Sequence, residues 1–191
     1  NDVIWGILSS FKFFNYFQKR DNSKKTNCST KSMKKPIYWN KAKKHLSKDK
    51  IMLKLISKHK GHLTTRNNFF YSLSRSIISQ QISIKAADSI FSKFQKKCCG
   101  KITPKKVSSL SISSLRKCGL TRLKSKGVKS LAKKILNKSF DHKLIKAMND
   151  EDAIIYLSNL KQIGRWSSEM ALIFYFNRPI ISPVQDIGLL R

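Results

Sequence analysis

Apolar residues recur at spacings of three and four along most of the chain, which is the period of one face of an α-helix. No run alternates apolar and polar residues as a strand does, and no Asn-Gly or Asp-Gly hairpin turn occurs, so an all-α fold is predicted. The predicted buried faces comprise Ile51, Leu53, Leu55 and Ile56; Phe70, Leu73, Ile77 and Ile78; Ile82, Ala86, Ile90, Phe91 and Phe94; Val128, Leu131, Ala132, Ile135 and Leu136; and Ile154, Ile155, Leu157 and Leu160.

Residues that start or stop helices stand where this pattern breaks. Gly119 predicts the end of one helix, because glycine readily takes the left-handed conformation that follows a helix. Thr121 and Asp150 predict the caps of two later helices, since their side-chain oxygens accept from the first backbone N–H groups. The polar pair Gln80–Gln81 interrupts an apolar pattern, which predicts a turn between two helices.

The segment from about 152 to 176 predicts a helix, a short turn and a second helix. The turn reads Lys-Gln-Ile-Gly and places Gly164 at the start of the second helix. Free backbone N–H groups point outward there and the helix dipole adds positive potential, so such a terminus binds a phosphate. Ser167 or Ser168 would add a hydroxyl in the first turn. By pattern alone, an ordinary helical hairpin with a glycine turn is the more common structure.

Asp186 is a solitary carboxylate in a turn-forming setting after Pro183. Its plain interpretation is the N-cap of a following helix. Its chemical interpretation is cleavage of an N-glycosidic bond, in which C1′ of the sugar gains positive charge. A nearby anion stabilises that charge or deprotonates the attacking water. One side chain can fill both roles.

The first 32 residues differ from the rest. Residues 4–17 are apolar and aromatic, but they are too short and too often interrupted by polar residues to span a membrane. They also lack the basic start and the cleavage site of a secretory signal. We therefore expect residues 1–32 to be a disordered or artefactual extension and residues 33–191 to be the functional domain. An amphipathic anchor to a membrane or partner is the alternative.

Charge points to a class of partner. Lys and Arg number 40 against 10 acidic residues, which gives a formal net charge of +30. Self-repulsion of this size favours a polyanionic partner, with nucleic acid first and an anionic membrane or a ribosomal setting as alternatives. Compositional drift toward Lys is a further explanation. The cysteines and histidines lack ligand spacing, so reduced thiols, surface histidines and no zinc site are expected.

Four segments carry a family resemblance: ISQQISIKAADSIF from residue 78, CGLTRLKSK from 118, LKQIGRWSSEMALIF from 160 and PVQDIGLLR from 183. Together they resemble the helix-hairpin-helix (HhH-GPD) superfamily of DNA glycosylases, in its 3-methyladenine DNA glycosylase II branch. The resemblance runs from about residue 38 to residue 191 and implies a two-lobed, all-helical fold. It also implies a base excision repair enzyme that hydrolyses the N-glycosidic bond of alkylated purines in double-stranded DNA.

The resemblance assigns roles to individual residues. Asp186 matches the catalytic aspartate. Trp166 stands where bifunctional relatives carry the Schiff-base lysine, so a monofunctional hydrolase without lyase activity is expected. Trp166 and Met170 would line the pocket of the flipped base, where an indole attracts a cationic methylated purine. The residues expected to contact DNA are Gln80, Gln81, Gln162, Gly164, Arg165, Ser167 and Lys126, with Gln81 inserted into the duplex; a polar interhelical turn is the alternative for the two neighbouring glutamines.

The resemblance also bears on cofactors and completeness. Backbone carbonyls of Ser158, Leu160 and Ile163 would hold a monovalent cation, Na+ or K+, and no iron–sulfur cluster is expected. The family usually has glycine at position 162, so glutamine there would strain a left-handed backbone. Relatives continue through at least one more helix, so the sequence is expected to be truncated at its C-terminus, five residues after the aspartate.

A monomer without membrane attachment is expected, located in the cytoplasm or nucleoid, or in the nucleus of a eukaryote. Two other functions use the same DNA-binding features: a non-catalytic helix-hairpin-helix protein that binds DNA, and a glycosylase for a different damaged base. A basic RNA- or ribosome-associated protein is the alternative outside this family.

Overall fold

The computed structural model describes residues 35–59, 62 and 68–184, apart from the side chain of Ile84. These residues form nine α-helices and one short 3-10 helix, and no β-strand occurs among them. Within the described ranges no helix is long and apolar enough to cross a membrane. The helices are α1 (Trp39–Leu46), α2 (Lys50–Lys58), α3 (Phe69–Ser79), α4 (Ile84–Lys97), α5 (Pro104–Ser109), α6 (Ile112–Lys117), α7 (Arg122–Leu136), the 3-10 helix (Leu144–Ala147), α8 (Asp150–Ser158) and α9 (Arg165–Phe174).

The chain divides into two compact units, in agreement with the expected two-lobed helical fold. Of the described residues, those before 68 and those after 171 form one unit, and those from Asn68 to Ala171 form the other. In the first unit, α1 buries Trp39 and Leu46, and α2 buries Met52 and Ile56.

The predicted face of α2 is confirmed at Ile56 and is wrong in the first turn of the helix. Ile51 and Leu53 are 71% and 50% exposed, whereas Met52 is buried. The cap explains this register, because the Asp49 carboxylate accepts the N–H groups of Ile51 and Met52 at 2.9 and 2.8 Å. With α2 starting at Lys50, Met52 and the residue one turn later face inward together.

The second unit contains a continuous apolar core. Helix α7 packs against α3, α5 and α6, and α3 also packs against α4. The predicted faces of α3 and of the middle of α7 are confirmed by their burial. Its largest fully buried side chains are Leu73, Ile77, Ile78, Phe94, Val107, Leu115, Val128, Leu131, Ile145 and Leu157.

Three apolar positions predicted to be buried in this unit face water. Ala87 is buried in α4 in place of Ala86. Leu136 and Ile155 are 47% and 57% exposed. Each lies at the edge of the apolar stripe of its helix, where a rotation by one position exchanges core for solvent.

Two of the three predicted helix signals are confirmed. The Thr121 hydroxyl accepts the N–H of Lys124, and Gly119 has a φ of +98° directly after α6. The third is displaced by one residue: Asn149 caps α8 by accepting the N–H of Asp152 at 2.8 Å. Asp150 is therefore the first residue of the helix, where its charge favours the positive end of the dipole.

A partly buried ion pair joins α3 to α4. The Arg75 side chain donates to the Asp88 carboxylate at 2.8 Å and lies 4.8 Å from the centre of the Phe91 ring. Arg75 is 8% exposed, so removing its partner would leave a buried charge. Arg75 lies about one turn before the polar α3–α4 turn and Asp88 about one turn into α4, so the pair holds together the two helices that flank this turn.

Stacked rings join the start of α3 to α8. Phe69 stacks on His142 at 4.7 Å and on Phe140 at 5.8 Å, and Phe140 stacks on Tyr156 at 4.9 Å. The expectation of surface histidines is therefore wrong for His142, which is half-buried. Burial lowers the pKa of its imidazole below the usual 6.5.

Candidate functional site

The hairpin predicted from the sequence is present as α8, a six-residue turn and α9. Two backbone hydrogen bonds shape the turn: Leu160 N–H donates to Leu157 and Ile163 N–H donates to Leu160, each at 3.0 Å. Leu160 and Ile163 are buried, which anchors the turn to the core from inside.

Gly164 leaves the N-terminus of α9 open to an approaching ligand. A Cβ added at this glycine would meet no atom within 4 Å. The first N–H groups of a helix lack partners within the helix and carry its positive dipole end. The arrangement therefore fits a phosphate that approaches the backbone closely, which is the chemistry expected from the sequence.

Gln162 has a φ of 67°, in the left-handed region that favours glycine. The strain expected at this position is thus present, and it amounts to about 1 kcal/mol relative to glycine. Its side chain packs against Gly127 of α7, where an added Cβ would lie 2.7 Å from Cγ and 2.9 Å from Cβ of Gln162. Gly127 thereby lets α7 approach the hairpin turn.

The serines of α9 face inward. Ser168 donates to the Gly164 carbonyl at 3.0 Å and lies 3.2 Å from the Ser158 hydroxyl. Ser167 is 3% exposed, and its hydroxyl accepts from Gln80 at 3.1 Å. The structure therefore uses both hydroxyls to join parts of the protein, and DNA contact by Ser167 stays a prediction.

The two glutamines of the α3–α4 turn have different surroundings. The Gln80 side-chain amide donates to the Gln162 carbonyl at 2.8 Å as well as to Ser167. Gln81 is exposed and has a φ of 53°. Gln80 thus ties the turn to the hairpin, whereas Gln81 is exposed and its contact with DNA stays a prediction.

Lys124 is a member of this site that sequence reasoning missed. Its ammonium donates to the carbonyls of Ile78 and Gln80 at 2.9 and 2.7 Å. Burial lowers the pKa of this ammonium group. Lys126, the lysine predicted to contact DNA, is exposed on the same helix. The CGLTRLKSK segment contained both lysines, but their spacing alone did not show which one turns inward.

Arg165 lies between two carboxylates of the hairpin. Its guanidinium binds both oxygens of Glu151 at 2.6 and 2.9 Å, and its Nε donates to Glu169 at 3.2 Å. The hydrogen bond from Arg165 lowers the pKa of Glu151, and the same bond raises the pKa of the guanidinium. Glu151 and Glu169 were absent from the sequence prediction. Because they neutralise the arginine locally, its DNA contact stays a prediction.

Comparison with known proteins identifies the architecture. Residues 74–191 match the family model described as the HhH-GPD superfamily base excision DNA repair protein. The chain belongs to the HhH-GPD superfamily. It is 32% identical to the alkylbase DNA glycosidase-like protein mag2 of Schizosaccharomyces pombe, over 82% of this chain and 78% of that protein. It is 31% identical to DNA-3-methyladenine glycosylase 1 of the same organism, over 73% of this chain and 63% of that one.

A solved structure agrees with this assignment. The 3-methyladenine DNA glycosylase Mag1 of Schizosaccharomyces pombe, in complex with abasic DNA, matches with a TM-score of 0.65 and 30% identity, over 77% of this chain and 75% of that one. The predicted family and its all-helical fold are therefore confirmed.

The remaining predicted residues of this HhH-GPD site differ in how far the structure describes them. Trp166 is half-buried in the first turn of α9, and Met170 is buried one turn later on the same face. Asp186 lies outside the described residues. The catalytic role of Asp186 and the pocket roles of the other two stay predictions.

The predicted cation ligands lie around the hairpin turn. The Leu160 carbonyl already accepts one backbone hydrogen bond, from Ile163, and a carbonyl oxygen has a second lone pair. A set of carbonyl oxygens suits a hard cation such as Na+ or K+. Among the described residues, no group of three or more His, Cys, Asp or Glu side chains could hold a metal ion.

Proposed function

We propose that this chain is a monofunctional DNA glycosylase that releases alkylated purines, of the 3-methyladenine type, from double-stranded DNA. The observation that carries the proposal is the α8–α9 hairpin with its open Gly164 terminus. The chain belongs to this superfamily, and the proteins it is similar to are named as an alkylbase DNA glycosidase-like protein and a DNA-3-methyladenine glycosylase. In a base excision repair protein, the partner of such a terminus is the phosphate backbone of DNA.

DNA binding has two contributions, one local phosphate contact and the attraction from the overall positive charge. Backbone N–H groups at the start of α9 bind one phosphate, which fixes the protein's register on the strand. The formal charge of +30 supplies the long-range attraction through exposed lysines such as Lys126. Affinity should therefore fall steeply as salt rises, since each lysine–phosphate contact releases counterions. The protein acts wherever its DNA is held, in a nucleoid or a nucleus.

The chemistry requires a flipped nucleotide. Gln81 enters the space that the nucleotide leaves, and Trp166 stacks on the extruded base beside Met170. A purine methylated at a ring nitrogen is cationic, so the indole face attracts it more strongly than it attracts a normal purine. The methylated base is cationic while it is bonded to the sugar and neutral once it has left. It is therefore a better leaving group than a normal purine.

Asp186 supports hydrolysis in this scheme. Its carboxylate stabilises positive charge at C1′ and accepts a proton from the attacking water. The C1′–N bond breaks, its electron pair leaves with the base, and the water oxygen bonds to C1′. An abasic site remains, and the strand stays intact because an indole at position 166 cannot form a Schiff base.

The backbone carbonyls of Ser158, Leu160 and Ile163 would hold a monovalent cation, which would stiffen the turn. Duplex affinity should then be higher in KCl than in the same concentration of tetramethylammonium chloride, which is too large for the turn. Equal affinity in the two salts would contradict the binding of a cation at the hairpin turn.

The function is tested with DNA treated with dimethyl sulfate, which carries methylated purines. The expected result is release of free methylated adenine or guanine, with heat-labile abasic sites and no direct strand cleavage. A chain that binds duplex DNA without releasing any base would be the non-catalytic hairpin protein instead. Release of oxidised or mismatched bases alone would assign a different substrate to the same site.

A further inference from the structure

The turn that carries Gln81 is held by two separate parts of the protein. Helix α3 ends at Ser79 without a basic residue in its last turn. Its terminal carbonyls have no partner within the helix and carry the negative end of its dipole. Lys124 of α7 supplies the missing cation by donating to Ile78 and Gln80.

The second attachment comes from the hairpin. The Gln80 side-chain amide donates to the Gln162 carbonyl and to the Ser167 hydroxyl, which lie 82 and 87 residues further along the chain. One of the two carbonyls that Lys124 binds, that of Gln80, belongs to the peptide bond between Gln80 and Gln81. Both attachments therefore act on the residue directly before the exposed glutamine.

Helix α7 closes the connection between the turn and the hairpin. Lys124 and Gly127 are three positions apart and share one face of this helix. Lys124 contacts the α3–α4 turn, and Gly127 contacts the Gln162 side chain. Three elements, the α3–α4 turn, the start of α7 and the hairpin turn, thus meet in one hydrogen-bonded junction.

We infer that Lys124 is a positioning residue for base flipping, which fixes Gln81 at a set distance from the phosphate that the hairpin binds. The inference rests on the proposed function. A phosphate contact sets where the strand lies, and insertion succeeds only if the inserted side chain stands at the right place on that strand. Lys124 acts through Gln81 and needs no contact with DNA.

Lys124→Met tests the inference, because methionine has a similar length and no donor. Lys133→Met is the matched control, since Lys133 is exposed on the same helix and its loss removes the same charge. The substrates are two duplexes with 7-methylguanine, one opposite cytosine and one opposite a tetrahydrofuran abasic analogue. The second needs little help in flipping, since the lesion has no pairing partner.

Lys124→Met should lower the single-turnover rate of release opposite cytosine by about tenfold, as expected for loss of hydrogen bonds from a charged group. Release opposite the abasic analogue should fall less than about threefold, and affinity for undamaged duplex should match Lys133→Met. Lys124→Arg, which keeps a cationic donor, should recover part of the rate. Equal losses on both duplexes would show a general structural effect and overturn the inference.

A double substitution provides the second test. In a Gln81→Ala background, Lys124→Met should reduce release opposite cytosine by less than about threefold, because its target is already gone. Gln80→Met removes the hydrogen bonds to the hairpin and should likewise lower release opposite cytosine more than release opposite the abasic analogue. This variant carries the test if Lys124→Met does not fold. Additive losses at Lys124 and Gln81 would contradict the inference, whereas a wild type that releases no methylated base from these duplexes or from DNA treated with dimethyl sulfate would contradict the proposed function.

Discussion

The contact between Gly127 and Gln162 predicts a change of sign in the effect of one substitution. Gly127→Ala places a methyl group 2.7 Å from Cγ and 2.9 Å from Cβ of Gln162. The Cβ atom is attached to a backbone that the hairpin holds, so it cannot move aside cheaply. Overpacking of this kind costs about 1–3 kcal/mol.

Helix propensity acts in the opposite direction. Alanine stabilises the interior of a helix by about 1 kcal/mol relative to glycine, and residue 127 is interior to α7. The net effect of Gly127→Ala should therefore be a destabilisation of about 1 kcal/mol. In a Gln162→Gly background both close contacts vanish. The Lys161 carbonyl oxygen at 3.3 Å remains and requires a small adjustment. The same substitution should then stabilise by up to about 1 kcal/mol.

Urea unfolding of the four proteins in this cycle measures the coupling. We expect a coupling free energy of about 1–2 kcal/mol, seen as opposite shifts of the unfolding midpoint at constant m-value. In thermal unfolding, each kcal/mol corresponds to about 2–4 °C for a chain of this size. If Gly127→Ala has the same effect in both backgrounds, the close packing of α7 on the hairpin turn is refuted.

Three further predictions follow from the same structure. Gly164→Ala should leave the unfolding free energy within about 0.5 kcal/mol of the wild-type value, since the added Cβ meets no protein atom within 4 Å, but it should weaken duplex binding about tenfold. Unchanged affinity in a fluorescence titration would contradict the approach of a phosphate to this backbone. Asp88→Ala should destabilise by about 2 kcal/mol because it leaves the charge of Arg75 buried, and a neutral result in urea unfolding would contradict the ion pair. Because the folded-state pKa of His142 is below 6.5, the unfolded state binds more protons, so stability should be full above about pH 7 and fall as pH drops through 6.5. His142→Phe keeps the ring stack and should lessen this fall. An identical dependence of stability on pH in the variant and the wild type would contradict a role for His142.

Local sequence signals predicted the parts of the fold that depend on neighbouring residues. Thr121 and Gly119 act within a few positions of their own helix, so their roles follow from the chain itself. The left-handed conformation of Gln162 was implied by the family resemblance, because the family usually has glycine at this position. Helix faces were less secure, as the exchange of Ala87 for Ala86 shows, because the edge of an apolar stripe depends on what packs against it.

The junction around Gln80 could not be predicted from the sequence. It joins residues 44, 82 and 87 positions apart, and nothing in the local pattern shows that such residues meet. The sequence analysis assigned DNA contact to both Gln80 and Gln81, with Gln81 inserted into the duplex, but it did not show that Gln80 is hydrogen-bonded to the hairpin. Lys124 and Lys126 are distinguished in the same way, because the structure shows which of them faces the rest of the protein from α7.

The most direct test of the central claim is the release of methylated bases by an Asp186→Asn variant. Asparagine keeps the size of the side chain and removes the negative charge that hydrolysis requires. We predict a loss of at least about a hundredfold in the single-turnover rate, with duplex affinity retained or increased, because electrostatic stabilisation and proton transfer both depend on this group. Base release by Asp186→Asn at the wild-type rate would contradict the account.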